Sequence, residues 1–121
     1  MRTIQPGTNN GIIYGAAWTT GKINGALSFD GSNDYVFVPH DTTLNITGDI
    51  TISVWLYLNE SPQTEAIVTK CVGSGNRNNP YDFMLTYSQL TLVRADASGS
   101  EHVYSDVKFP LGDWHHGLVR V

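Results

Sequence analysis

The sequence is poor in cysteine, in charge and in long apolar runs. Cys71 is the only cysteine among the 121 residues, so the chain can form neither an internal disulfide nor a thiolate metal cluster. Charged residues make up 15% of the chain, too few for the exposed faces of a helical bundle. No apolar run reaches the roughly 20 residues of a membrane helix, and the N-terminus lacks the apolar stretch of a signal peptide.

The charge balance and the aromatic content further narrow the classes of protein to which the chain can belong. The net charge is −4, so we expect no electrostatic binding of nucleic acid or of an anionic membrane. With 40% hydrophobic residues, 6 tyrosines and 3 tryptophans, the composition is that of a folded chain rather than a disordered one. The length predicts a single domain over residues 1–121 with one hydrophobic core.

Short segments with a period of two dominate the chain. In residues 50–58 the even positions are all aliphatic, whereas the odd positions carry Thr51, Ser53, Trp55 and Tyr57, which is typical of a strand with one dry face. Glycine-rich and asparagine-rich turns separate further candidate strands at residues 26–29, 35–39, 66–70, 81–87, 90–94, 102–105 and 114–121. One helical turn at most is expected, at residues 43–46. The pattern predicts an all-β fold in which two antiparallel sheets pack face to face.

Exposed aromatic side chains on such a sheet are candidates for sugar binding. Aromatic rings pack against the C–H faces of sugars, while charged and amide groups bind the hydroxyls. In the predicted strand at residues 81–87, the odd positions place Tyr87 on one face with three other apolar residues. The candidate ligand-binding residues are Trp55, Tyr57, Tyr87, Arg94 and Asp96. The alternative is that the aromatics are ordinary core or sheet cover.

An acidic turn offers the candidate metal site. Asp30, Asn33 and Asp34 lie within five residues, and carboxylate, amide and carbonyl oxygens are the ligands that calcium prefers. One turn supplies about half of the six to eight oxygens that calcium takes. The alternative is that these side chains accept hydrogen bonds from the backbone of their own turn.

No catalytic constellation is present in the sequence, so we expect no enzyme activity and name no catalytic residue. Glycoside hydrolysis needs two carboxylates facing each other across a cleft, but Glu60, Glu65 and Glu101 stand alone. His115 and His116 are adjacent in a predicted strand, where neighbouring side chains point to opposite faces. They therefore cannot converge on one metal ion, and we expect one to lie inside and the other to face solvent.

Three segments in the same order resemble one known family. Residues 21–36 (GKINGALSFDGSNDYV), residues 50–57 (ITISVWLY) and residues 111–119 (LGDWHHGLV) are similar to the signature strands of laminin-G-like, concanavalin A-like jelly-roll domains. The resemblance implies a jelly-roll β-sandwich. It indicates less about function, because this fold carries lectins, adhesion modules and some glycosidases.

The resemblance also sets expectations about completeness and partners. The family continues beyond its Trp-His-His strand through several more strands, so we expect residues 1–121 to be an incomplete sandwich. Unpaired edges of that kind favour completion by a second copy, hence a homo-oligomer. The resemblance implies a carbohydrate or glycoprotein-surface binding module of a longer extracellular or cell-surface chain, with calcium as the candidate cofactor. The alternatives are a self-assembling or accessory adhesion module without a small ligand and, last, a glycoside hydrolase.

Overall fold

A computed structural model describes residues 9–70, 79–96 and 98–121 of the chain. These residues form ten strands and one short 3-10 turn, Thr42–Leu44, and every strand pair is antiparallel. The predicted all-β fold is therefore confirmed. The chain divides into two compact units, Met1–Thr42 and Thr43–Val121, and each is described by itself. The expectation of one incomplete domain over residues 1–121 stays a prediction.

The first unit is built from two short ladders. Ile12–Tyr14 (β1) pairs with Tyr35–Phe37 (β4), and Ala17–Thr20 (β2) pairs with Gly25–Ser28 (β3). The sequence predicted β3 and β4 around their turn but missed β1 and β2, which are too short to show a period of two. None of the described residues of this unit is buried.

The second unit contains two larger antiparallel sheets. Its strands are Thr51–Tyr57 (β5), Thr64–Lys70 (β6), Tyr81–Thr86 (β7), Gln89–Asp96 (β8), Gly99–Lys108 (β9) and Trp114–Arg120 (β10). One sheet pairs β10 with β5, and the other has the order β6-β7-β8-β9. Each of these strands overlaps a predicted segment, so the period-two pattern located them correctly.

The two sheets of the second unit enclose a common core. Phe83 on β7 and Leu92 on β8 are buried together with Ile50, which precedes β5. Ile52 and Val54 on the inner face of β5 pack against this cluster. The predicted face-to-face packing of two sheets is confirmed here, and the aliphatic face of β5 points inward as its alternation required.

Arg94 binds two connecting segments of the chain to the larger sheet. Its guanidinium group donates hydrogen bonds to the carbonyl oxygens of Pro80 at 3.1 Å, Gly48 at 2.8 Å and Ile46 at 3.1 Å. A planar group with several fixed donors suits three carbonyls that converge from separate segments. Arg94 therefore holds the segment before β5 and the start of β7 against β8.

Tyr87 is not part of the β7 strand, which corrects the sequence-based prediction. Tyr81, Phe83 and Leu85 share a buried face as expected, but β7 ends at Thr86. Tyr87 and Ser88 form the two-residue turn to β8, with φ of 49° and 66°, which is the conformation of a type I′ hairpin turn. The turn is held by hydrogen bonds from Tyr87 N–H to Gln63 O at 2.8 Å and from Phe109 N–H to Ser88 O at 2.6 Å.

Two further sequence features have a limited structural outcome. Cys71 and most of the predicted loop at residues 73–80 lie outside the described residues. In the ranges that the structure does describe, no helix is long and apolar enough to cross a membrane.

Candidate functional site

The outer face of the β5–β10 sheet gathers four ring side chains, which we call the aromatic face: Trp55, Tyr57, Trp114 and His116. In the ladder, Trp114 lies opposite Tyr57 and His116 lies opposite Trp55. The Tyr57 and Trp114 rings meet edge to face, with centroids 5.7 Å apart and planes at 71°. The Trp55 and His116 rings are 5.1 Å apart at 37°. Such cross-strand ring pairs stabilise the sheet and fix the directions of the rings.

The aromatic face is open to solvent although its members are large. Trp55 is 39% exposed and Tyr57 is 44% exposed. Because alternate residues of β5 fill the core, these two rings must point outward. Ser53 lies on the same face, and its Oγ is 2.6 Å from His116 Nε2, so the imidazole is held in place by a hydrogen bond. The face thus combines flat apolar rings with polar atoms at their edges.

Trp114 and His116 belong to this face, and sequence analysis did not name them as ligand candidates. The available signal was the period of two in residues 114–116, which sends His115 to the other side of the strand. His115 does contact the buried Phe109, with ring centroids 5.8 Å apart at 84°, while His116 is exposed. The prediction that the two histidines face opposite sides is confirmed.

The structure brings together two of the five predicted ligand-binding residues, Trp55 and Tyr57. Arg94 belongs to the other sheet, and its guanidinium group is engaged by backbone carbonyls. Tyr87 projects from the hairpin turn and is 65% exposed. Asp96 is the last residue of β8, where it lies opposite Gly99, and its side chain is outside the described part of the structure.

The acidic turn of the first unit uses its carboxylates for backbone contacts. Asp30 Oδ1 accepts hydrogen bonds from Ser32 N–H at 2.8 Å and Asn33 N–H at 3.3 Å, and Asp34 Oδ2 accepts one from Asp30 N–H at 2.9 Å. The Ser32 bond in particular lowers the pKa of Asp30 below 3.8. These contacts are those of a self-capped turn, and they engage one oxygen of each carboxylate.

The described residues contain no cluster of three or more histidine, cysteine, aspartate or glutamate side chains able to hold a metal ion. The three predicted metal ligands include two carboxylates and one amide, and they lie in the turn of the first unit. The aromatic face lies in the second unit and contains no carboxylate. The arrangement there can stack against and hydrogen-bond a neutral polar ligand.

Comparison with known proteins agrees with this architecture. A family model of the laminin G type, described as the concanavalin A-like lectin/glucanases superfamily, matches residues 30–121, about three quarters of the chain. No curated protein and no solved structure gave a match. The matched range contains the acidic turn, β4 and every strand of the second unit. The chain therefore belongs to the concanavalin A-like lectin/glucanase superfamily.

Proposed function

We propose that the protein is a non-enzymatic carbohydrate-binding module that uses the aromatic face. The observation that carries this proposal is the pairing of Trp55 with His116 and of Tyr57 with Trp114 on an exposed sheet surface. Large aromatic side chains are normally buried in the core or in an interface. Here they stay on the surface, while the other side of the same strands supplies the core.

Binding of a sugar on this face would combine stacking on the aromatic rings with hydrogen bonding. A sugar ring presents C–H groups on its face and hydroxyls around its edge, and aromatic side chains combine an apolar surface with polar edges. Tyr57 contributes a hydroxyl, and the Ser53–His116 pair contributes groups that donate or accept. Because the rings are already fixed by their partners across the ladder, little side-chain entropy is lost when a ligand docks.

A glycan array tests this proposal, with two tryptophans as a matched pair. Trp55→Ala removes a ring from the aromatic face, whereas Trp18→Ala removes a ring that is 60% exposed in the first unit. We expect Trp55→Ala to weaken binding of the selected glycan at least tenfold and Trp18→Ala to leave it unchanged. Equal affinities for wild type and Trp55→Ala would contradict the proposal, provided circular dichroism shows that the variant is folded.

The second candidate is a structural module that associates with a second copy. It is supported by the first unit, where Tyr14, Tyr35 and Phe37 are exposed on one side of the β1–β4 ladder. Exposed apolar surface of this kind favours association. Light scattering at micromolar concentration distinguishes the candidates, because a stable dimer without any glycan response supports association and a glycan-binding monomer opposes it.

Calcium assistance and an extracellular or cell-surface location within a longer chain both stay predictions. The proposed binding uses the aromatic face of the second unit, whereas the acidic turn belongs to the first unit, so binding is expected to persist in a chelator. Loss of glycan binding on addition of a chelator, with recovery on adding calcium, would assign the ion a role that the aromatic face alone does not require.

A further inference from the structure

The histidine of the aromatic face, His116, contacts two residues of the neighbouring strand β5. Its Nε2 atom is 2.6 Å from Ser53 Oγ, and its ring centroid lies 5.1 Å from that of Trp55, with the ring planes at 37°. Histidine is the side chain that ordinarily exchanges a proton between pH 5 and 8. A proton bound by His116 therefore acts on two neighbours at once, a hydroxyl group and an indole ring.

The protonation state of His116 decides what Ser53 can offer a ligand. A neutral imidazole has one N–H group and one nitrogen lone pair, whereas an imidazolium has two N–H groups. With neutral His116, Ser53 Oγ either donates a hydrogen bond to Nε2 or accepts one from it, depending on the tautomer. With charged His116, Nε2–H must donate, so Oγ accepts and its own O–H turns outward. The pair then presents two donors, Ser53 O–H and His116 Nδ1–H, in place of one donor and one lone pair.

The same proton places a positive charge on the aromatic face, beside the indole ring that His116 contacts. The other ionisable side chains on this side of the β5–β10 ladder are Tyr57 and Arg120, and Arg120 is four residues along β10, about 13 Å away. The carboxylate of Asp113, just before β10, accepts a hydrogen bond from Trp114 N–H at 2.7 Å. A neutral ligand that covers the charged imidazole must remove its water without supplying a counter-charge, which costs free energy.

We propose that His116 is a proton-operated switch of the aromatic face, which binds a neutral ligand while the imidazole is uncharged and releases it when the imidazole gains a proton. This inference rests on the proposed carbohydrate-binding function and adds its regulation by pH. Protonation weakens binding for two reasons, since it removes an outward lone pair that sugar hydroxyls can use and leaves a charge that the ligand must cover. The strands need not rearrange, because Ser53 and Trp55 are already in contact with the imidazole.

A titration followed by NMR without any ligand tests the first step of the switch. Between pH 8 and pH 5, we expect the imidazole signals of His116 and the indole N–H signal of Trp55 to shift with one shared midpoint. His116→Gln should abolish the Trp55 shift, whereas His102→Gln, which alters a histidine of the other sheet, should preserve it. A Trp55 signal that does not follow the titration of His116 in the folded wild-type protein overturns the switch.

The glycan array, run at pH 8 and again at pH 5, tests the effect on binding. We expect neutral glycans that bind at pH 8 to bind about tenfold more weakly at pH 5, which is the size of one lost hydrogen bond together with a covered charge. His116→Gln should bind equally at the two pH values, because glutamine keeps a donor and an acceptor but cannot take up a proton. His102→Gln should retain the wild-type difference.

The outcomes separate the switch from the function on which it rests. Equal binding at both pH values by the folded wild-type protein, or a difference that His116→Gln retains, overturns the switch and leaves the aromatic face as a binding site. Tighter binding of neutral glycans at pH 5 has the opposite sign and overturns the switch as well. A folded protein that binds no glycan at either pH overturns both the proposed function and its regulation, whatever the titration of Trp55 shows.

Discussion

The two compact units of this chain contain the same kind of antiparallel ladder, yet they bury very different amounts of it. In the second unit, β7 alternates between fully buried and partly buried residues, and Phe83 is 1% exposed. In the first unit, all three residues of β4 are exposed, and Phe37 is 49% exposed. Both strands are rich in aromatic and aliphatic residues, so composition does not explain the contrast.

The ladder of the second unit is buried because an opposing sheet of the same unit covers it. The β5–β10 sheet lays Ile52, Val54 and Val119 over Phe83 and Leu92, so the inner face of each sheet is dry. Each of the two described ladders of the first unit has two strands, and a two-stranded ladder alone is only marginally stable in water. These ladders depend for their stability on local contacts such as the stacked rings of Tyr14 and Tyr35, whose centroids are 4.8 Å apart and whose planes meet at 16°.

The largest expected effect is the contrast between equivalent truncations in the two units. Phe83→Ala removes a fully buried ring and should lower the free energy of unfolding by about 3–5 kcal/mol. Phe37→Ala removes a half-exposed ring and should cost at most about 1 kcal/mol. Urea denaturation followed by tryptophan fluorescence measures both. A loss for Phe37→Ala as large as that for Phe83→Ala would show that the first unit is covered in solution.

Arg94 provides the next largest effect, since it joins segments within the second unit through three backbone carbonyls. Arg94→Ala leaves these acceptors without their donor and should cost about 2–3 kcal/mol. Arg94→Lys restores the charge but not the planar fork, so it should recover only part of the loss. The control is Arg120→Ala on the exposed face of β10, expected to change stability by no more than about 0.5 kcal/mol. Equal stabilities for Arg94→Ala and Arg120→Ala would contradict the role of Arg94 in joining these segments.

Residues with positive φ angles occur in both units. The first unit places Gly15, Asn24 and Gly31 there, and the second unit places Gly112 there but also the tyrosine Tyr87 of the β7–β8 hairpin. A bulky residue in this region is strained, and asparagine is favoured at the first position of a type I′ turn. Tyr87→Asn should therefore raise the free energy of unfolding by about 1 kcal/mol.

The matched control for that change is Tyr104→Asn, at an exposed tyrosine within β9. Asparagine is unfavourable in a strand, so this substitution should be slightly destabilising. Chemical denaturation of the two variants side by side gives opposite signs if the turn geometry is responsible. A loss of stability in Tyr87→Asn would mean that its ring is held by contacts in solution.

Sequence reasoning succeeded where a strand has two different faces. Residues 50–58 and 81–86 showed their period of two plainly, and the structure places their apolar positions in the core. It failed at β1 and β2, because three or four residues cannot display a period. It also extended β7 by one residue to Tyr87, since a tyrosine after an alternating run gives no sign of a positive φ.

The candidate site was predictable in part for the same reason. Trp55 and Tyr57 followed from the alternation of β5, but their partners Trp114 and His116 depended on the register between strands distant in sequence. The placement of Arg94 depended on three carbonyls that no motif encodes. Pairing across a sheet and convergence of loops are tertiary properties, so a single sequence indicates faces more securely than it indicates sites.

The smallest expected effect concerns the acidic turn of the first unit. Backbone hydrogen bonds, led by that from Ser32, lower the pKa of Asp30. Because the folded-state pKa lies below the unfolded value, the carboxylate stabilises the fold above about pH 4, and this contribution disappears as the pH falls through the folded-state pKa. Asp30→Asn should therefore be less stable than wild type near pH 6, with a difference that shrinks as the pH falls through the folded-state pKa of Asp30.

Denaturant unfolding across this pH range measures the difference, with Asp106→Asn on the exposed side of β9 as the control for a simple change of net charge. A difference that is constant with pH would mean that the turn is held by packing rather than by the carboxylate.

Repeating the series in millimolar calcium separates the two interpretations of the turn, a self-capped turn and a calcium site. If its oxygens are occupied by backbone amides, calcium leaves the wild-type stability unchanged. A stabilisation that Asp30→Asn abolishes would instead identify this turn as a calcium site in the first unit, remote in sequence from the aromatic face.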